Sequence, residues 1–277
     1  MKRIGAIFLL IFAFANVFAQ QATVFKMKYL PGLIYTSTQT INSVTQIDFT
    51  GDKVELDKLP VTQLPIILQN KGNLKYTVKT GSLNFPKNFS GIVQYFYAGN
   101  KQSINGIETG DIDTLKGKEF DGRFVDDLFF LDRLKNPQIP DSLKKVVAGT
   151  INSAKIIFPE KALKPGDSFT QDVPMAMPVS GKSVTLNTHI VYKLTDIKNG
   201  AAFFDVVQTA DFKTHTEQGD MEINGNGEGH IFYDMRYNFF RLYQNTLNLK
   251  FTLKGNKVTM NGTSSLISVY QTDINKN

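Results

Sequence analysis

One stretch, Lys161 to Phe212, limits the folds open to this chain more than any other. Within it, Val184, Leu186, Thr188, Ile190, Tyr192 and Leu194 alternate with Ser183, Thr185, Asn187, His189, Val191 and Lys193. That period of two belongs to a strand with one buried face. A second apolar segment, Ala201 to Phe212, follows after Asn199-Gly200. Both turn residues tolerate positive φ, so the stretch predicts an antiparallel hairpin.

The same pattern recurs along the chain. Leu247, Leu249, Phe251 and Leu253 alternate, as do Leu266, Ser268 and Tyr270, with Lys254-Gly255-Asn256 as the turn between them. Ala22 to Tyr29 reads as a short strand with Phe25, Met27 and Tyr29 on one side. Leu33 to Phe49 reads as a long strand that buries one face only partly or lies near an edge. Gly91 to Ala98 is apolar on both parities, and Ser153 to Phe158 is a further strand. Pro60 and Pro65 argue against a central strand between Val54 and Asn73. Asn224 to Gly229 reads as a flexible bend, and Asp273 to Asn277 as a frayed end. Twenty-two Phe and ten Tyr residues fit sheet structure.

Helical spacing is confined to one region. Phe124, Leu128, Leu131 and Leu134, continued upstream by Phe120, recur at helix intervals before Asn136-Pro137. Pro140-Asp141-Ser142 then caps a second short helix over Leu143 to Val147. The expected fold class is mainly β: a large twisted antiparallel sheet, half-open barrel or sandwich, with a short helical insertion near residues 120–147. One β-rich domain covers 20–277. Leu30-Pro31-Gly32 and Lys164-Pro165-Gly166, each followed three residues on by an aromatic and then Thr, echo one another and raise an internal duplication into 20–150 and 151–277.

The first nineteen residues read as a signal peptide. Lys2-Arg3 precedes an apolar run, and Val17-Phe18-Ala19 supplies the cleavage site. The run is short of the roughly twenty residues that span a bilayer, so no transmembrane segment is expected in the mature chain. The chain has no Cys, hence no lipoprotein anchor and no disulfide. The expected location is the periplasm or the outside of the cell. A net charge of +6 without a dense basic patch argues against nucleic acid.

Signals for chemistry are sparse. His189, His215 and His230 are scattered and read as surface or rim residues, so no metal is expected. The Gly-rich Asn224 to Gly229 lacks the strand–loop–helix setting of a phosphate cradle. Asp111/Asp113 and Asp220/Glu222 place carboxylates two apart, as solvated strand faces do routinely. No Gly-x-Ser-x-Gly is present. The expectation is a non-catalytic protein with no cofactor.

What stands out is the aromatic supply. Tyr95-Phe96-Tyr97, Phe129-Phe130, Phe203-Phe204 and Phe239-Phe240 put aromatics on adjacent positions, where neighbours on a strand face opposite ways. One enters the core and the other needs cover. Met175 and Met177 add a soft apolar element. The reading is a concave sheet that binds a hydrophobic small molecule, lipid or acyl chain, with Tyr95, Tyr97, Phe124, Leu128, Met175, Met177, Phe204 and Phe240 as contacts. The alternative is a structural or protein-interaction module of the cell envelope, with an envelope protein as partner, that uses exposed edge strands.

Ile156 to Phe169, with Phe158-Pro159, Leu163-Lys164 and Gly166-Asp167-Ser168-Phe169, resembles an "FPxKxLKxGDSW" segment of secreted β-rich proteins from Bacteroidetes-like bacteria. Phe169 stands where that pattern often has Trp. The resemblance brings no active residues with it. At fold level, long strands with short covering helices are similar to the half-open barrels of periplasmic lipoprotein carriers, although those begin with a helix.

Overall fold

In the computed structural model, the described residues are 22–59, 63–85, 88–111, 115–132, 135–136, 138–153, 155–179, 182–216 and 219–277. The segment read as a signal peptide lies outside them. Among the described residues, twelve strands form one antiparallel sheet, with two short helices. In chain order they are β1 (Leu33–Gly51), α1 (Lys53–Leu56), β2 (Ile66–Phe85), β3 (Asn88–Ile104), β4 (Ile107–Asp111), β5 (Glu119–Val125), β6 (Leu128–Leu131) and α2 (Asp141–Ser153). Then come β7 (Ser168–Val179), β8 (Lys182–Lys198), β9 (Ala201–Thr216), β10 (Gly219–Asp234), β11 (Phe239–Lys254) and β12 (Val258–Lys276). The spatial order is β6-β5-β3-β2-β1-β12-β11-β10-β9-β8-β7, and β4 pairs with the far end of β3. β1 is therefore central, between β12 and β2.

The predicted hairpin is present as β8–β9. Asn199 and Gly200 take φ of 53° and 76°, and Lys198 faces Ala201 across the two-residue turn. Thr188, Ile190, Tyr192 and Leu194 are buried, as their parity requires.

The stretch around Phe120 to Leu131 differs from its helical reading. It is the hairpin β5–β6, turned by Asp126 and Asp127 with φ of 46° and 68°. Phe120 and Phe124 stand four apart, a spacing that shares a face in both helix and strand. Gly122 decides between them: a Cβ there would come within 2.5 Å of the Phe129 ring and the Phe130 carbonyl oxygen. Leu134 lies outside the described residues. The helix forms later, over Asp141–Ser153, with Leu143, Val147 and Ile151 turned to the core. It ends at Ser153, and in place of the strand expected over Ser153 to Phe158 the residues Ile156 and Phe158 lie in irregular chain.

Three other segments also depart from the sequence reading. Residues 22–31 alternate as expected, with Phe25, Met27 and Tyr29 buried, but pair with the sheet through one bridge, Thr23 to Leu163. Asn224 to Gly229 lies inside β10 rather than in a bend. Gly225, Gly227 and Gly229 occupy its inward parity, and a Cβ on Gly227 would sit 2.2 Å from the Thr246 carbonyl oxygen. The missing side chains let β11 approach β10 closely there. The C-terminus is held, not frayed: Ile274 is buried in β12 and Asn277 N donates to the Gly32 carbonyl at 3.0 Å.

The main core lies at one end of the curled sheet. Residues 22–31 cross its interior as a strap. Phe25 contacts Phe158, Phe204 and Tyr233 with ring centroids 5.4, 5.3 and 5.5 Å apart. Tyr29 meets Tyr35, Phe124 and Phe239 at 4.8, 4.9 and 5.0 Å. The strap thus joins β9 and β10 to β1, β5 and β11 across the hollow. A second, smaller cluster, including Met221, Ile223, Leu247 and Leu249, packs the other end. The two Pro-Gly segments share a local form, with Gly32 and Gly166 at φ of 72° and 97° before β1 and β7. β1 is central and β7 is an edge.

Candidate functional site

Below the aromatic core the concave face encloses a cavity of about 650 Å³. Its wall includes Leu74 and Tyr76 from β2, Gln171 and Val173 from β7, and Ile190 and Tyr192 from β8. The sheet has therefore curled until strands near its two ends face each other. α2 and the chain after it fill the gap. Asn152 binds the backbone of β6, and Ile157 N donates to Gln171 Oε1 of β7 at 3.2 Å.

Strand register builds the floor. Ile41, Ser268, Asn245, Gly229, Val206 and Tyr192 form one continuous inward row across β1, β12, β11, β10, β9 and β8. Leu266, Leu247, Gly227, Gln208 and Ile190 form the next. Each row combines apolar surface with an amide or hydroxyl. Tyrosines supply the largest faces. Tyr243 and Tyr270 stack at 5.8 Å, and Gln208 Nε2 donates to the Tyr243 hydroxyl at 3.3 Å. The Tyr192 and Tyr243 hydroxyls are near one another, and the Tyr270 hydroxyl is near Gln39.

Burial raises the pKa of each of these phenols. The Tyr192 hydroxyl is pushed up to about 12, and those of Tyr243 and Tyr270 also rise. All three are neutral at physiological pH and offer hydrogen bonds, not charge. Thr188 Oγ1 and Asn245 Oδ1 are buried on this wall without a hydrogen-bond partner. Groups of that kind cost about 1–3 kcal/mol when nothing satisfies them. A ligand with its own polar atoms would satisfy them.

The residues chosen from sequence fall in three places. Phe240 lines the cavity. Tyr95, Phe124 and Phe204 are buried in the core above it, at 1%, 0% and 1% exposure. Tyr97 and Leu128 are on the outside. The side chains of Met175 and Met177 lie outside the described residues, and their backbones pair with Leu186 and Val184. The adjacent aromatics divide largely as their parity demands. Phe129 is buried and Phe130 exposed, and Phe203 outside Phe204 stacks on Phe232 at 5.4 Å. Phe239 and Phe240 are both buried, because a register shift in the β10–β11 pair falls beside them. Sequence reading missed Tyr76, Tyr192, Tyr243 and Tyr270 as cavity residues.

The histidines stand elsewhere. Each faces an aspartate across a strand pair: His189 with Asp172, His215 with Asp220 and His230 with Asp205, at 2.8, 2.7 and 2.9 Å. Glu222 pairs with Lys213 at 2.9 Å. Asp113 lies outside the described residues. Among the described residues no group of three or more His, Asp or Glu side chains is placed to hold a metal. No described helix is long and apolar enough to cross a membrane.

No family model and no curated protein matches the sequence. Solved structures show likeness in fold. Lipovitellin, from a study of lipid–protein interactions in it, aligns at 13% identity and a TM-score of 0.43, over 90% of this chain and 26% of that one. OccK5 (OpdH) of Pseudomonas aeruginosa aligns at 7% identity and 0.29, over 87% and 98% of the two chains. The beta domain of the Bordetella autotransporter BrkA aligns at 10% and 0.25, over 88% and 100%. The chain spans about a quarter of the lipovitellin chain it matches. These are likenesses of sheet architecture and carry no functional argument.

Proposed function

We propose that this protein is an exported, non-catalytic binder that holds an apolar molecule, such as a lipid or acyl chain, against the concave face of its sheet. The observation that carries this reading is the cavity of about 650 Å³ between facing parts of one curled sheet. Ligand pockets of about 300–1,000 Å³ with apolar walls and a few convergent polar groups are the usual form of small-molecule sites. Here aliphatic and aromatic side chains supply contact area, and neutral tyrosines, Gln208 and Thr188 supply hydrogen bonds. A filled interior would have favoured the protein-interaction alternative.

The energetics are adequate. Burying about ten methylene groups yields about 8 kcal/mol at ~0.8 kcal/mol each. Ordering the chain and restricting its motion offset part of that. Affinity then falls in the micromolar range or weaker, the scale of a carrier that must also release.

Native mass spectrometry of the protein expressed with its N-terminal segment tests both parts. The expected result is a mature mass beginning at Gln20, with extra mass lost on denaturing organic extraction. A clean apo mass with no uptake from mixed lipids contradicts the binding reading. An uncleaved N-terminus contradicts export.

A further inference from the structure

The cavity has an unusual charge balance. Among its described lining residues, Lys155 is the one ionisable group charged at neutral pH, and there is no carboxylate. Lys155 follows α2, at the gap between β6 and β7, beside Thr150 and Gln171 on the same wall. Its Nζ donates to the Asp127 carbonyl oxygen in the β5–β6 turn. An ammonium has three protons, so that bond leaves two for another acceptor.

We infer that the ligand of the proposed site is an amphiphile with a monoanionic carboxylate head, seated against Lys155 at the α2 end, with its chain along the Tyr243–Tyr270 wall. The inference rests on the apolar-binding reading and names the ligand class for it. Lys155 is the single charged group among the described lining residues, and the Asp127 carboxylate that also acts on it lies in the β5–β6 turn, off that wall; one cation so placed suits a monoanion, not a phosphate dianion. Gln171, whose Oε1 accepts from Ile157 N, keeps its Nε2 as a donor on the same wall. Burial also lowers the Lys155 pKa, while the nearby Asp127 carboxylate opposes that fall. An anionic head would hold the proton on as well.

The test compares dodecanoic acid with dodecanol by calorimetric titration of the full chain. Variants are Lys155→Met and Lys155→Arg. Wild type is expected to bind the acid about tenfold tighter than the alcohol, the scale of one charge-assisted hydrogen bond. Lys155→Met should lose that tenfold preference by weakening the acid alone, and Lys155→Arg should retain it. Binding of dodecanol to Lys155→Met shows that the variant is folded. Equal affinity of wild type for acid and alcohol, or an acid preference that survives Lys155→Met, overturns the head-group inference and leaves the cavity reading standing. Failure of both probes to bind wild type overturns both.

Discussion

Phe129 N donates to Asn152 Oδ1 at 2.8 Å, and Asn152 Nδ2 donates back to the Phe129 carbonyl at 3.0 Å. One side-chain amide thus takes the place of a neighbouring strand on the open edge of β6. It fastens α2 where the curled sheet leaves a gap. Asn152→Ala leaves both backbone groups of the buried Phe129 unpaired and should cost about 2–3 kcal/mol. Urea denaturation would measure the loss. Asn152→Asp should also destabilise, because a carboxylate cannot donate to the Phe129 carbonyl.

The strap is the second fastening. Phe25 stacks on Phe158 of the α2–β7 connection, meets Phe204 of β9 and Tyr233 of β10 edge-on, and is 3% exposed. Phe25→Ala should cost about 3–5 kcal/mol, the range for truncating a buried Phe. Lys26→Ala, at an exposed position on the same segment, should change stability by less than about 0.5 kcal/mol. Thermal melts of the two variants separate packing from the mere presence of the segment.

Gly227 sits where β11 comes close to β10. Its Cβ position lies 2.2 Å from the Thr246 carbonyl oxygen, so Gly227→Ala must push β11 away from β10. The expected cost is about 1–3 kcal/mol. Hydrogen exchange should quicken along Gly225–Gly229 and Asn245–Leu249 before it quickens elsewhere. Unchanged protection there would contradict the role given to this glycine.

Alkaline pH tests the buried phenols. Burial raises the Tyr192 hydroxyl from 10.0 to about 12. Between those values the folded state keeps a proton that the unfolded state has lost. Stability is therefore fully present below pH 10 and falls as pH rises towards 12, by about 3 kcal/mol for this group. Tyr192→Phe should flatten that part of the profile and leave the neutral-pH plateau with a smaller change. Equal slopes above pH 10 in both proteins would contradict the assignment.

Alternation and turn chemistry made the β8–β9 hairpin, β11 and β12 legible in the sequence, because each buries one face and is closed by a local turn. The β5–β6 hairpin was not legible. Phe120 and Phe124 satisfy helix and strand periods alike, and Gly122 reveals its role only once Phe129 is packed over it. The Gly-rich run in β10 was misread for a similar reason. Glycines two apart on an inward face mark a close strand, which single-strand propensity does not report.

The cavity had a signal of a different kind. Thr188, Gln208, Asn245 and Ser268 all fall on the buried parity of otherwise apolar strands. A polar group on that parity points into a hollow or to a partner. Seeking adjacent aromatics instead led to Tyr95, Phe124 and Phe204, which fill the core. Lys155 was not recoverable from sequence, since it reaches the cavity only because α2 bridges two edges far apart along the chain.

Because the chain has no Trp, a single introduced indole reports on one place. Tyr270→Trp sets it on the cavity wall, and Tyr97→Trp sets it on the outside at a residue 37% exposed. The most direct measurement is fluorescence quenching of each variant by the methyl ester of a fatty acid brominated at mid-chain. That probe is uncharged, so the result is independent of Lys155. The account predicts saturable quenching at one molecule per protein for Tyr270→Trp and only weak, linear quenching for Tyr97→Trp. Weak, linear quenching at both positions would contradict a ligand in the cavity.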